Sequence, residues 1–212
     1  MLAMAIDRFD NEKEQSMRKA ALIDKSKKGS VDPLVLPIID LFNSHPDYYT
    51  TSSCSGRVMV LALAPSRRKD EAEWTYVTHS DAVPAKVINA VRSVEKGEVW
   101  LKQESAIFHV ACRDIARAGD LLEVVREIGF KRAGIIGAKR RVIVEIIGTD
   151  AVAIPLGIAP VIKLDEDYIE YAVSCCNERM RSNEKKLDRI VAALRSMFSN
   201  RAGKVTKTDE DI

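Results

Sequence analysis

The sequence lacks a strong net charge, usefully spaced cysteines and any long apolar run. Lys and Arg number 33 and Asp and Glu 31, a net charge of +2. That excludes a histone-like polycation but leaves room for local basic patches, because distribution matters more than the sum. The four cysteines, Cys54, Cys112, Cys175 and Cys176, include no C-x-x-C pair. This excludes a zinc ribbon and a disulfide framework and predicts reduced thiols with no metal. No stretch approaches the ~20 apolar residues of a membrane helix. The opening MLAMAIDRFDNEKEQ turns acidic too early for a signal peptide. The expectation is a soluble, cytoplasmic protein. G-x-G-x-x-G, P-loop, H-E-x-x-H and G-x-S-x-G strings are absent as well, which removes the common nucleotide, zinc-protease and esterase signatures.

What is present is a globular mixture, 46% hydrophobic and 30% charged over 212 residues. A helical pattern covers residues 6–23, and Asp32-Pro33 reads as an N-cap followed by proline at the first helical position. Leu34, Ile38, Leu41 and Phe42 would form the apolar face of that second helix. The apolar run 58–64 predicts a buried strand, 74–78 a second strand ending at His79, and 84–94 a helix. Residues 98–102 and 106–112 read as two strands, 115–128 as a helix stopped by Gly129, and 132–137 and 141–148 as a strand pair. Residues 160–164 suggest a short strand and 166–197 a long helix. The pattern predicts one α+β domain over residues 1–198, a mainly antiparallel sheet with flanking helices and not a Rossmann fold. Residues 199–212 read as a disordered tail. It also suggests an internal strand-strand-helix repeat that would bring His79 and His109 into one cleft beside residues 53–56.

Three features carry chemistry. The first is YYTTSSCSGR, residues 48–57, read as a polar loop ahead of a strand. Its hydroxyls, Cys54 and Gly56 offer hydrogen bonds and close backbone approach, and Arg57 offers a planar cationic fork. It equally suits a strand-edge cap. The second is HVACRD, in which alternation puts His109 and Arg113 on one strand face, with Asp114 placed to N-cap the next helix. The third is clustered basic charge: Lys25, Lys27 and Lys28; Arg67, Arg68 and Lys69; and the stretch 131–141, which includes Lys139 and Arg140. Such clusters suit structured RNA as well as ordinary solvated turns. Cys54 paired with a histidine would suit a thiol enzyme. The same basic loops would suit a non-catalytic RNA-binding module.

The ordered strings YTTSSCSGR, WTYVTHS, HVACRD, GFKRAGI and VEIIGTDAVAIPLG, with the early KSKKGSVDP and the late YAVSCCNERMRSNEKKLDRI, resemble the tRNA wybutosine-synthesis methyltransferase family in its short archaeal form. Ala133 stands where that family more often has serine. The resemblance implies a non-Rossmann enzyme dependent on S-adenosylmethionine. Its substrate would be phenylalanine tRNA, in which it methylates N4 of a wyosine-type base next to the anticodon. The candidates within that reading are His79 and His109 as catalysts, since histidine titrates near neutrality. Ser53, Cys54, Ser55, Gly56 and Arg113 are the cofactor candidates. Arg57, Arg67, Arg68, Lys69, Lys139 and Arg140 are the RNA candidates in the anticodon loop contact.

Overall fold

The computed structural model describes residues 7–21, 32–66, 68 and 71–205 of the chain. Lys25, Lys27, Lys28, Arg67 and Lys69 lie outside the described residues. The described chain forms two compact units. One draws on the described residues within Met1–Cys54, Ile107–Ile147 and Lys186–Ile212, the other on those within Ser55–Ala106 and Gly148–Lys185.

The first unit opens with helix α1, Arg8–Ala21. Asp32 N-caps as its motif predicts, accepting from Leu34 N, but proline first starts a 3-10 turn, Pro33–Val35, before α2, Leu36–Ser44. The buried side of that segment is Val35, Ile38 and Phe42, while Leu34 is exposed. Next comes β1, Tyr48–Leu63. The polar segment expected as a loop is therefore the first half of a 16-residue strand. Two tyrosines and two threonines, residues of high strand propensity, open it and outweigh the serines that follow. β1 and β3, Gly97–Cys112, each pass from one unit into the other, as does the long helix α5, Glu166–Val205. That helix runs past residue 199, where the tail was expected to begin.

Within the first unit the antiparallel strand order is β1-β3-β5-β4, with β4 at Gly134–Gly137 and β5 at Val142–Ile147. Pairing of Phe108 with Ile146 and Val110 with Val144 lines up one fully buried face. Helix α4, Ile115–Glu127, packs on β5 and buries Ala118, Leu121 and Val125. Asp114 caps it by accepting from Arg117 N, as the sequence indicates. The rings of Phe42, Tyr48 and Phe198 close the end of this core with centroids 5.6 to 6.3 Å apart. At about 25 cal/mol per Å² of buried apolar surface, such aromatic groups dominate the stabilisation.

The second unit pairs β2, Glu73–Thr78, with β1, and β6, Val152–Ala159, with β3 and with the two-residue β7, Val161–Ile162. Its core joins Val58, Val60, Val99 and Leu101 to Val87, Ile88 and Val91 of α3, Pro84–Arg92, and to Ile169, Val173 and Met180 of α5. Two expectations change here. β6 is a full strand that Pro155 and Gly157 disguise in the sequence, and β3 is one strand and not two. The polar residues that suggested a break in β3 are accommodated, with Gln103 1% and Ser105 8% exposed. With β3 undivided, the strand-strand-helix repeat is absent. Among the described residues no helix is long and apolar enough to cross a membrane.

Candidate functional site

Strand register builds the most distinctive group in the first unit. β3 and β5 pair His109 with Glu145, and a side-chain period of two keeps both off the apolar core face. His109 Nε2 lies 3.0 Å from a Glu145 carboxylate oxygen, and Nδ1 lies 2.8 Å from Ser52 Oγ. A carboxylate only accepts, so Nε2 carries the proton toward Glu145 and Nδ1 accepts from the Ser52 hydroxyl. Thr51 Oγ1 donates to the His109 carbonyl at 3.2 Å and pins the strand beside the ring. Side chains of His109 and Glu145 are each 30% exposed, which opens the group to a ligand. β5 pairs Glu145 in turn with Gly134, where a Cβ would meet nothing within 4 Å. The row Ser52–His109–Glu145 ends in open space.

Ser52 and Glu145 were not among the sequence candidates. Glu145 carries one legible signal, as the only charged residue in the otherwise apolar strand VIVEII. Ser52 carries none, being one of several adjacent hydroxyls. Of the expected residues nearby, Ser53 and Cys54 are half-buried on β1. Both nitrogens of His109 are engaged elsewhere, so that ring does not activate the Cys54 thiol. Burial, helped by Asp114, pushes the Cys112 thiol up to about 12. Burial, helped by Cys175, does the same for Cys176. Neither suits a nucleophile.

Arg113, expected among the cofactor ligands, has its guanidinium committed within the first unit. It binds Asp7, Asp10 and Asp47, donates to the Pro46 carbonyl, and stacks 4.6 Å over Phe9. Its pKa is raised, first by the Asp10 hydrogen bond. This residue ties α1 to the start of β1 and leaves little donor capacity for a cofactor carboxylate. Lys139 and Arg140 are exposed at the β4–β5 turn. Arg140 also lines a pocket of about 220 Å³ with Arg8, Phe9, Arg113 and Arg141. The Ala133 side chain is 2% exposed and its carbonyl accepts twice from Arg126, a structural role that needs no hydroxyl.

The second unit holds the other candidates. Gly56 has φ +100°, and a Cβ there would lie 2.6 Å from the Glu104 carbonyl oxygen, so only glycine fits. Its carbonyl accepts from His79 Nδ1 at 2.7 Å. Fully buried Asn183 on α5 donates to the Ser55 carbonyl and accepts from Ala106 N at 2.9 Å. One amide thereby satisfies a backbone group on each of β1 and β3. Arg57 binds Glu104 through Nε at 2.9 Å and Nη2 at 2.8 Å and lies 4.3 Å over the Trp74 ring. Arg68 pairs with Glu71 at 3.6 Å. His79 belongs to the second unit and His109 to the first, and the repeat on which their convergence rested is absent. Among the described residues no group of three His, Cys, Asp or Glu side chains converges to hold a metal ion.

An antiparallel α+β fold carrying a half-buried histidine held between a hydroxyl and a carboxylate defines a non-Rossmann protein with a polar site on a strand face. The chain belongs to the family described as methyltransferase TYW3, whose family model matches residues 11–196. It is 33% identical over 188 residues to the tRNA(Phe) 7-((3-amino-3-carboxypropyl)-4-demethylwyosine(37)-N(4))-methyltransferase 1 of Thermococcus kodakarensis, covering 87% of this chain and 92% of that protein. It is 33% identical to the bovine tRNA wybutosine-synthesizing protein 3 homolog over 88% of this chain and 72% of the relative. Against the rice tRNA wybutosine-synthesizing protein 2/3/4 it is 33% identical and spans only 21% of that protein. Among solved structures, the PH1069 protein from Pyrococcus horikoshii is similar with a TM-score of 0.80 and 29% identity, covering 88% of this chain and 95% of that one. The protein is a methyltransferase of wybutosine biosynthesis.

Proposed function

We propose that the protein transfers a methyl group from S-adenosylmethionine to N4 of the wyosine-type base beside the anticodon of phenylalanine tRNA, in the cytoplasm, with residues 1–198 as one catalytic and RNA-binding domain. The observation that carries the reading is His109, held by Glu145 at 3.0 Å and Ser52 at 2.8 Å on an exposed strand face of a TYW3-family chain. The Thermococcus kodakarensis relative, named for this reaction, supports the substrate and the acceptor nitrogen.

The donor set fits the cofactor. The Glu145 carboxylate and the Ser52 hydroxyl suit the positive sulfonium and ammonium groups. The space left at Gly134 gives them room. Ser53 and Cys54, half-buried on the same strand, are the proposed further contacts. Bound S-adenosylmethionine supplies an electrophilic methyl group. The protein's own residues handle the proton that the acceptor nitrogen must lose. His109 Nδ1 takes it, directly or through the Ser52 hydroxyl, and Glu145 stabilises the imidazolium that results. A positioned base of this kind contributes roughly 10²- to 10⁴-fold, and orientation of the two reactants contributes more. Lys139 and Arg140, exposed at the β4–β5 turn, are the proposed phosphate contacts of the first unit. Arg57 and Arg68 are the proposed RNA-side residues of the second.

The test is a methyl-transfer assay on phenylalanine tRNA carrying the demethyl base, with labelled S-adenosylmethionine. The wild type should label position N4, and calorimetry should show one saturable cofactor site. Saturable RNA binding with no cofactor binding and no transfer would leave a bare RNA-binding module.

A further inference from the structure

β1, β2 and β3 present two faces in the second unit, and one of them carries the core built on α3 and α5. Val58 and Val60 of β1, with Val99 and Leu101 of β3, belong to that core. A period of two therefore sends Arg57, Met59 and Leu61 of β1, and Trp100, Lys102 and Glu104 of β3, to the opposite face, where Met59 and Leu61 are buried while Arg57, Trp100 and Lys102 are half-buried and Glu104 is exposed. Contacts confirm the assignment. Arg57 binds Glu104 across the strands and lies 4.3 Å over Trp74, whose backbone pairs with Leu61. Lys102 Nζ lies 5.9 Å over the Trp100 ring.

The chain has two tryptophans, and both sit on this one face. Trp74 is 38% exposed and Trp100 half-buried. Burying indole in a core would serve stability better, so two indoles held at the surface on a rigid sheet are placed for contact. Each has a cation over it. The two carboxylates of the face are already engaged, Glu104 by Arg57 and Glu98 by the Trp100 indole N–H at 3.2 Å. Glu104 takes Nε and Nη2 of Arg57, which leaves Nη1 with no partner among the described residues. Flat aromatic and guanidinium planes with an unspent N–H donor, on a face with no net charge, match the π-face and edge of an unpaired nucleobase.

We infer that Arg57, Trp74, Trp100 and Lys102 form a stacking platform for unpaired bases of the RNA substrate. The inference rests on the tRNA reading above and adds a second contact zone to it. The platform acts by stacking, which tolerates any base, and not by phosphate neutralisation.

Because the only tryptophans lie on the platform, intrinsic fluorescence reads it directly. The experiment titrates the full chain with an anticodon stem-loop of phenylalanine tRNA, and with a duplex of the same length. Trp74→Phe and Trp100→Phe assign the signal to one indole at a time. The loop RNA should quench tryptophan emission and the duplex should not. Trp100→Ala should weaken loop binding about 5- to 140-fold, the equivalent of roughly 1 to 3 kcal/mol for one lost base stack. The salt dependence of log K should keep its slope, because no phosphate contact is lost. Trp100→Phe should restore most of the affinity, and far-ultraviolet circular dichroism checks that each variant folds. Wild-type methyl transfer and RNA binding without quenching, or with equal quenching by the duplex, overturn the platform and leave the tRNA function standing. Failure of the wild type to bind or methylate tRNA removes the function reading, and the platform with it.

Discussion

Glu145→Gln is the sharpest probe of the proposed chemistry. The carboxylate accepts from His109 Nε2 at 3.0 Å and thereby leaves Nδ1 free of a proton, accepting from Ser52 at 2.8 Å. A glutamine amide offers the ring either its oxygen or its NH₂, so the tautomer that leaves Nδ1 free of a proton is no longer enforced. The base then spends part of its population in the wrong tautomer, and the imidazolium loses its counter-charge. A charge-assisted hydrogen bond is worth about 1.5 to 3 kcal/mol, which at 1.36 kcal/mol per tenfold is roughly 10- to 150-fold in rate. The tautomer change adds to this, as the analogous carboxylate-to-amide change does in the serine protease triad, where it costs about 10⁴. With both side chains 30% exposed, solvent offsets part of the loss, and the expected fall in kcat is on the order of 10²-fold. Stability should hardly move. An exposed pair contributes at most about 1 kcal/mol, so Tm should fall by no more than about 4 °C in a chain of this size. Single-turnover methyl transfer under saturating cofactor, beside a thermal melt, measures both. A kcat within twofold of wild type would refute the role of Glu145 and the assignment of His109 as base.

Arg113→Ala should lower Tm by several degrees while the Kd for S-adenosylmethionine stays within about twofold, because its partners are Asp7, Asp10 and Asp47; a large loss of cofactor affinity at unchanged Tm would return Arg113 to the cofactor site. Asn183→Ala strands the Ser55 carbonyl and the Ala106 N–H in a buried setting, so urea unfolding should show a loss of about 2 to 6 kcal/mol, and a loss below about 1 kcal/mol would contradict the bridging role. Alkylation of the native protein at pH 8, read by mass spectrometry, should modify half-buried Cys54 and Cys175 and spare Cys112 and Cys176. The two buried thiols are raised from 9.0 to about 12. Their contribution to stability is therefore complete below pH 9 and is lost as pH climbs toward 12, and a melting temperature flat across that window would refute the upward shift of both thiols.

Much of the architecture was legible because it is local. Asp32 before Pro33 and Asp114 before Ile115 mark helix starts by hydrogen bonds made within three residues. Alternation in VIVEII and the spacing of Val87, Ile88 and Val91 mark a half-buried strand and an amphipathic helix. β6 escaped because Pro155 and Gly157 are strand breakers in isolation, yet β3 pairs with both sides of that segment. The hydroxyl-rich start of β1 and the polar centre of β3 escaped for a related reason. Their polar groups meet partners from distant segments, such as Asn183, which lies 128 residues from Ser55 and 77 from Ala106.

The candidate site divides along the same line. The ordered strings from SSCSGR to GTDAVAIPLG pointed to the family, and one of them contained His109, because family identity is written in residue order. No order in the chain could show that His109 meets Ser52, 57 residues before it, and Glu145, 36 residues after it. That meeting depends on the register of β1 against β3 and of β3 against β5, and a slip of one residue would send each side chain to the other face. The same register decided that both tryptophans share one sheet face with Arg57 and Lys102 and that Arg113 answers to three aspartates. By itself the sequence determined the helices, the apolar strands, the family and the histidine. Only the tertiary structure decided the histidine's partners, because strand pairing is set by the burial of a whole face and not by any pair of residues along the chain.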